Sequence, residues 1–328
     1  MSDSTQSAAV AAPRRQRRSR WQRMLHSPMF FPLLGFIAVF IIMSLVNDRF
    51  LDVSNIENVA RQGSVIGIIA VGMSFAIFTG GIDLSVGPVM ALSGTIMAGL
   101  MAAGWPAPLA IVAGLCVGSL FGAFNGFCVA FGRMPPIIVT LATMGAAHGL
   151  ALLYTGGYPI SGLPSWFSWF GRGNLVGLQV PIMIMLLVYA AGYVVLHHTP
   201  FGRYVYAVGG NEEATRLTGI RVPRTKMFVY TISGLTAAIA GLVITSRLMS
   251  GQPGIGEGFE LDAIAAVVLG GAAISGGRGV VLGTLVGAML LAILNNGLNL
   301  MGVSSYLQDV IKGGIILLAV YIGRGREG

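Results

Sequence analysis

From Ser64 to Met101 the sequence is almost unbroken in apolar and small residues, interrupted only at the run TGGIDLSVG, residues 79–87. A membrane crossing takes about 20 residues, so this stretch holds two crossings joined at the glycine-rich break. The same alternation of long apolar runs and short polar joints continues to the C-terminus. With 55% hydrophobic residues, 10% charged residues and a mean hydropathy of +0.79, an ordinary soluble domain is excluded. The expected fold is an all-α polytopic membrane protein, and the 48 glycines suit closely packed transmembrane helices.

About ten spans are predicted, near residues 29–46, 64–79, 84–102, 107–130, 137–154, 181–197, 227–246, 261–273, 280–300 and 306–322. They form one transmembrane domain, 29–322, flanked by an Arg-rich tail at 1–28, expected to be disordered, and a short tail at 323–328. NDRFLDVSNIENVARQG, residues 47–63, reads as a charged loop on the far side, and residues 155–180 as a second external loop. In the second loop Trp166 and Trp169 fit the headgroup belt. Ten crossings put both termini on one side, together with fifteen of the 20 lysines and arginines. By the positive-inside rule that side is the cytoplasm. The net charge of +8 is spread in this way and forms no aromatic-interleaved basic face, so nucleic acid is not an expected partner.

The longest polar interruption in the second half is PFGRYVYAVGGNEEATRLTGIRVPRTK, residues 200–226. Asn211 is a good helix N-cap, and Glu212 and Glu213 follow in the first turn, where carboxylates suit the helix dipole. Gly219 stands where a C′ glycine ends a helix, and Pro223 is read as preventing its resumption. A helix of about seven residues is too short to persist unaided in water, so something is expected to pack on Leu217 and Ile220. Two readings fit: a helix lying on its own protein or on lipid headgroups, or a rigid knob that docks into a soluble partner.

Two glycine ladders, Gly114, Gly118, Gly122, Gly126 and Gly279, Gly283, Gly287, recur every four residues and are expected to be packing stripes. Gly80 to Gly87 (GGIDLSVG) and Gly270 to Gly277 (GGAAISGG) share the pattern GG-x-x-[LI]-S-x-G. This is either a trace of broken helices around a substrate route or two glycine turns alike by composition.

Asp83 is a candidate N-cap, and with Ser85 and the in-span amides Asn125, Asn295 and Asn299 a candidate lining of a polar route. Amides inside spans either knit helices together or offer hydrogen bonds to a polar, uncharged solute. Asp309 and Lys312, three apart, are placed to neutralise each other. Cys116 and Cys128 lie twelve positions apart on one predicted helix, roughly 18 Å, too far for a disulfide. There is no G-x-x-x-x-G-K-[ST], no H-E-x-x-H, no nucleophile elbow and no Cys/His cluster, so no enzyme and no cofactor in this chain are expected.

GGIDLSVG, RMPPIIVTLATM, AVGGNEEATRLTGI and FELDAIAAVVLGGAAISGGRG together resemble the permease subunits of bacterial ABC importers for monosaccharides, the ribose, xylose, arabinose and galactofuranose group. The resemblance covers about residues 50–322, with one departure at Ala142, where the family more often has glycine. It implies the larger, type II-like importer class with about ten spans per subunit. It also implies a bacterial inner-membrane location, a second permease subunit, a cytoplasmic ATPase that binds the ATP, and a periplasmic sugar-binding protein. Asn211, Glu212, Glu213, Ala214, Leu217, Gly219 and Ile220 match the family's ATPase-contacting loop. The rival functions are an ABC permease for another small solute, such as a branched-chain amino acid or a sugar-like signalling molecule, and an ion-coupled secondary transporter.

Overall fold

The computed structural model describes residues 29–324, so the tail 1–28 and residues 325–328 lie outside the described residues. Thirteen helices are present among them. They are α1 (Phe30–Val46), α2 (Val53–Phe78), α3 (Val86–Ala102), α4 (Ala107–Ala130), α5 (Pro136–Thr155), α6 (Trp169–Arg172) and α7 (Val180–His198). Then follow α8 (Pro200–Gly210), α9 (Glu212–Leu217), α10 (Val222–Leu248), α11 (Phe259–Leu269), α12 (Val281–Leu300) and α13 (Ser305–Arg324). A 3-10 turn at Ser165–Ser168 and an antiparallel pair, β1 (Asn174–Leu175) with β2 (Leu178–Gln179), order the loop before α7.

Six helices, α2, α4, α5, α7, α10 and α12, are long and apolar enough to cross a membrane. The ten predicted crossings are not all matched by such helices. α1 and α3 have 17 residues each and α11 has 11; at 1.5 Å per residue these fall short of a hydrocarbon core about 30 Å thick. The sequence also hid part of α2. Residues 53–63, read as loop because of Asn55, Glu57 and Arg61, are helical, since those polar side chains have partners in the fold. Asn55 and Asn296 exchange amide hydrogen bonds at 3.0 and 2.8 Å, Arg61 donates to Gln179 Oε1 at 3.0 Å, and Gln179 donates to Glu57 at 3.0 Å.

α2 is the axis of the bundle and is almost wholly buried. α10 lies beside it and takes the first glycine ladder on its other flank. A Cβ on Gly118 would stand 2.6 Å from the Gly234 carbonyl and from Ala238 Cβ, and one on Gly126 2.7 Å from Met227 Cα. Bare glycine is what lets α4 and α10 approach this closely. The second ladder works alike, Gly283 and Gly287 fitting against the carbonyls of Gly270 and Ala266. Cys116 and Cys128 are free thiols.

Candidate functional site: the knob, its joint and the polar candidates

The 200–226 stretch is almost entirely helical. Thr199 caps α8 by accepting from the Gly202 N–H at 3.3 Å, with Pro200 in the first turn. α8 ends at Asn211, which then caps α9 by accepting from the Ala214 N–H at 2.9 Å. Gly219 takes φ +84°, the left-handed conformation that ends the turn. Pro223 does not stop the chain from resuming a helix: it occupies the first turn of α10, where its missing N–H has no intrahelical role.

Six residues of helix hold because the fold supports them from behind. The Thr215 hydroxyl is buried and close to the Ala207 and Asn211 carbonyls, at 2.8 and 2.7 Å. Lys226 pairs with Glu212 at 2.6 Å, and Arg216 with Glu213. This corrects the expectation that packing on Leu217 and Ile220 keeps the knob formed. Leu217 is 81% exposed at the tip and Ile220 is half-buried.

α8 joins the knob to the helix ends beneath it. Tyr206 stacks on Phe78, centroids 5.3 Å apart, and its hydroxyl donates to the Gly279 carbonyl at 3.1 Å. The Gly277 N–H donates to the Phe78 carbonyl at 3.0 Å, and Gly209 fits so tightly between them that a Cβ there would overlap both groups. The two GG-x-x-[LI]-S-x-G stretches therefore meet. One follows α2, the other follows α11, and α8 is wedged against both. The stacked Tyr206 was not foreseen, although Gly202, Val205 and Val208, buried at threes, carried a helical spacing.

Of the five candidates for a polar route, three come together near this end. Asn125 donates to the Ser85 hydroxyl at 2.8 Å, and that hydroxyl donates to Asp83 Oδ1 at 2.6 Å. The Ser85 N–H donates to the same oxygen at 3.0 Å, so Asp83 braces the turn before α3; the N-cap position itself is Ser85, which corrects the expectation that Asp83 is the cap. All three side chains are buried. Asp83 Oδ2, Asn125 Oδ1 and the Tyr230 hydroxyl, which lies against Gly81, make no hydrogen bond among the described residues.

Asn295 and Asn299 lie toward the other end of α12. Asn299 accepts from Gln308 at 2.8 Å, and Asn295 stands on the wall of a cavity. Asp309 and Lys312 do pair, at 3.5 Å, but Lys312 also reaches Asp262 on α11 at 3.4 Å, a partner the local spacing could not reveal. No group of three metal-binding side chains occurs among the described residues.

Comparison with known proteins places these features. Residues 55–320 match the family model described as "Branched-chain amino acid transport system / permease component". The ribose import permease protein RbsC of Bacillus subtilis (strain 168) is 50% identical over 298 residues, 90% of this chain and 92% of that protein. The ribose permease of Escherichia coli (strain K12) is 45% identical, over 90% and 93% of the two chains. The xylose transport system permease protein XylH of the same strain is 36% identical, over 92% of each. A solved inward-facing metal-chelate type ABC transporter superposes with a TM-score of 0.51 at 15% identity, covering 88% of this chain and 98% of that one, a likeness of fold.

Proposed function

The chain belongs to the branched-chain amino acid transport system permease-component family, and on that premise we propose that it is the membrane-spanning subunit of an ABC importer for a ribose-like monosaccharide. The observation that carries this reading is 45–50% identity to ribose permeases over 90% of the chain. The family's description names branched-chain amino acids, but the relatives reported above at 36–50% identity carry pentoses by name.

In this reading the chain is a transport component and not an enzyme, holds no cofactor, and leaves ATP to a separate ATPase. About ten crossings, in the manner of the larger type II-like importers, place it in the bacterial inner membrane with both termini in the cytoplasm. Asn211 to Ile220 is the docking surface for the ATPase, and Leu217 is its anchor. A second permease subunit and a periplasmic sugar-binding protein complete the importer. ATP-driven movement of the ATPase reaches α2 and α12 through α8, because Tyr206, Gly209, Phe78 and Gly277 form one packed joint. Asp83, Ser85, Asn125, Asn295 and Asn299 remain the candidates for polar groups along the route.

The test is uptake by proteoliposomes holding this chain with an ABC ATPase and a secreted pentose-binding protein. ATP-dependent ribose uptake is expected. Uptake of leucine with no pentose, or pentose uptake driven by an ion gradient without the ATPase, would overturn the reading.

A further inference from the structure

The turn between α2 and α3 buries a carboxylate to which the fold gives no counter-charge. Asp83 sits in the non-helical stretch two residues before the Ser85 cap and is 1% exposed. None of the ion pairs among the described residues includes it. Its Oδ1 takes two donors, the N–H and the hydroxyl of Ser85, at the N-terminal end of α3, where the helix dipole suits a negative charge. Its Oδ2 takes none. A lone carboxylate inside a membrane protein is costly, so its charge calls for a partner.

Three further oxygens converge on the same spot. Asn125 on α4 spends its Nδ2–H on the Ser85 hydroxyl at 2.8 Å, one hydrogen bond removed from Asp83, and its Oδ1 is left over. Tyr230 and Ser233, three apart on one face of α10, both lie within electrostatic reach of the Asp83 carboxylate. Asp83 Oδ2, Asn125 Oδ1 and the two hydroxyls have no hydrogen-bond partner of proper geometry among the described residues. All four residues are 1% exposed or less. The first glycine ladder explains how they come together. A Cβ on Gly122 would strike the backbone of Tyr230 and Thr231, and one on Gly126 that of Met227, so Asn125, between those glycines on α4, is carried to the turn of α10 that holds Tyr230.

We propose that this cluster binds one alkali-metal cation, held by Asp83 Oδ2, Asn125 Oδ1 and the hydroxyl oxygens of Tyr230 and Ser233. The set is all oxygen, which suits a hard cation. It carries one carboxylate and belongs to no group of three His, Cys, Asp or Glu, so a single positive charge brings it to neutrality while a divalent ion would leave an excess charge buried. The other ways to fill it fall short. A proton on Oδ2 would be a buried donor without an acceptor, and a water would leave the charge unbalanced. Oxygens about 2.3–2.6 Å from a shared hard cation stand roughly 3.4 Å or more from one another, so ligands of one ion have little direct hydrogen bonding among themselves. Unwound backbone at a broken helix is also where membrane proteins hold such ions. The ion ties the α2–α3 turn to α4 and α10. Gly80 in that turn packs under Gly276, so the cation braces the floor on which α8 is wedged.

The experiment follows thermal unfolding of the full chain in lipid nanodiscs at constant ionic strength, with sodium, potassium or choline as the only cation. Sodium or potassium is expected to raise Tm by several degrees over choline and to saturate with concentration, as a ligand of the folded state does. Asp83→Asn removes the charge and keeps the acceptor for Ser85, so its Tm should be the same in all three salts and no lower than that of the wild type in choline. Ser233→Ala is the second variant, should the first fail to fold, and is expected to move the cation response to several-fold higher concentration. Equal Tm of the wild-type chain in the three salts would overturn the proposal and leave the cluster to water. A cation response that survives Asp83→Asn unchanged would also overturn it. So would acidification in choline that raises Tm as far as the alkali cations do, since a proton would then be the partner of Asp83.

Discussion

The Tyr206 hydroxyl donates to the Gly279 carbonyl at 3.1 Å, across 73 positions of sequence, while the Tyr206 ring stacks on Phe78. One side chain thus ties the helix behind the knob to the ends of two long inner helices. Tyr206→Phe removes the hydrogen bond and keeps the stack, a loss of about 0.5–1.5 kcal/mol that the fold should tolerate. The expected result in the assembled importer is near-normal ATP hydrolysis with uptake reduced several-fold. Unchanged uptake per ATP hydrolysed would show that the bond plays no part in coupling.

Leu217 is the exposed apolar tip of α9. Leu217→Asp should abolish co-purification of the ATPase while membrane insertion and thermal stability stay close to wild type. The opposite pattern is expected for Thr215→Val, which removes the buried hydroxyl under the knob and should loosen α9 itself. Normal ATPase recovery with Leu217→Asp would rule out the knob as the docking surface.

Gly118 faces the backbone of α10 with no room for a side chain. Overpacking in a close-fitted interior costs about 1–3 kcal/mol, and leucine against a carbonyl should exceed the lower figure. Gly118→Leu is expected to lower the yield of folded protein, read by size-exclusion chromatography, without altering which solute is carried. A well-folded variant with wild-type transport would show that α4 and α10 need not approach so closely.

Asp83 accepts twice from Ser85, through its N–H and its hydroxyl. An amide oxygen can accept both, so Asp83→Asn should be nearly silent in folding, whereas Asp83→Leu strands two buried donors at about 1–3 kcal/mol each. The comparison is made on thermal unfolding and on uptake together. If Asp83→Asn folds normally yet stops uptake, the carboxyl group has a role in the route beyond bracing the turn before α3.

Asn55 and Asn296 bond reciprocally between α2 and α12. Asn296→Leu leaves Asn55 short of a partner inside the bundle and should destabilise the protein. Asn55→Leu with Asn296→Leu should destabilise it by less than the sum of the two single changes, by roughly 0.5 kcal/mol or more. Strict additivity in thermal unfolding would mean that the pair does not act as a unit.

The knob was legible because its limits are written in local chemistry: Asn211 caps, Gly219 takes positive φ, and both act over three or four residues. The glycine ladders were legible for the same reason, a spacing of four on one helix face. What escaped depends on partners distant in sequence. Asn55, Glu57 and Arg61 look like loop residues until Asn296 and Gln179 are seen to satisfy them. Lys312 finds its nearest carboxylate in Asp262, fifty residues away. Pro223 read as a stop because proline both ends helices and begins them, and only the chain direction after Gly219 decides between the two. The candidate route divided for a similar cause. Asp83, Ser85 and Asn125 cluster at one end of the bundle while Asn295 opens on a cavity at the other, a separation that residue type does not encode.

The bond from the Gly277 N–H to the Phe78 carbonyl has a consequence for synthesis. At about 5–20 residues per second, the 199 residues from 79 to 277 take about 10–40 s to emerge. Throughout that interval the terminal carbonyl of the central helix lacks its native donor, and the wedge of α8 has only one of its two seats. The N-terminal part of the bundle must therefore persist in the bilayer with its axis unfinished at one end. A ribosome that stalls before residue 277 would release a chain that lacks not only this junction but the whole of α12 and α13, so the central helix would also miss the Asn296 partner of Asn55.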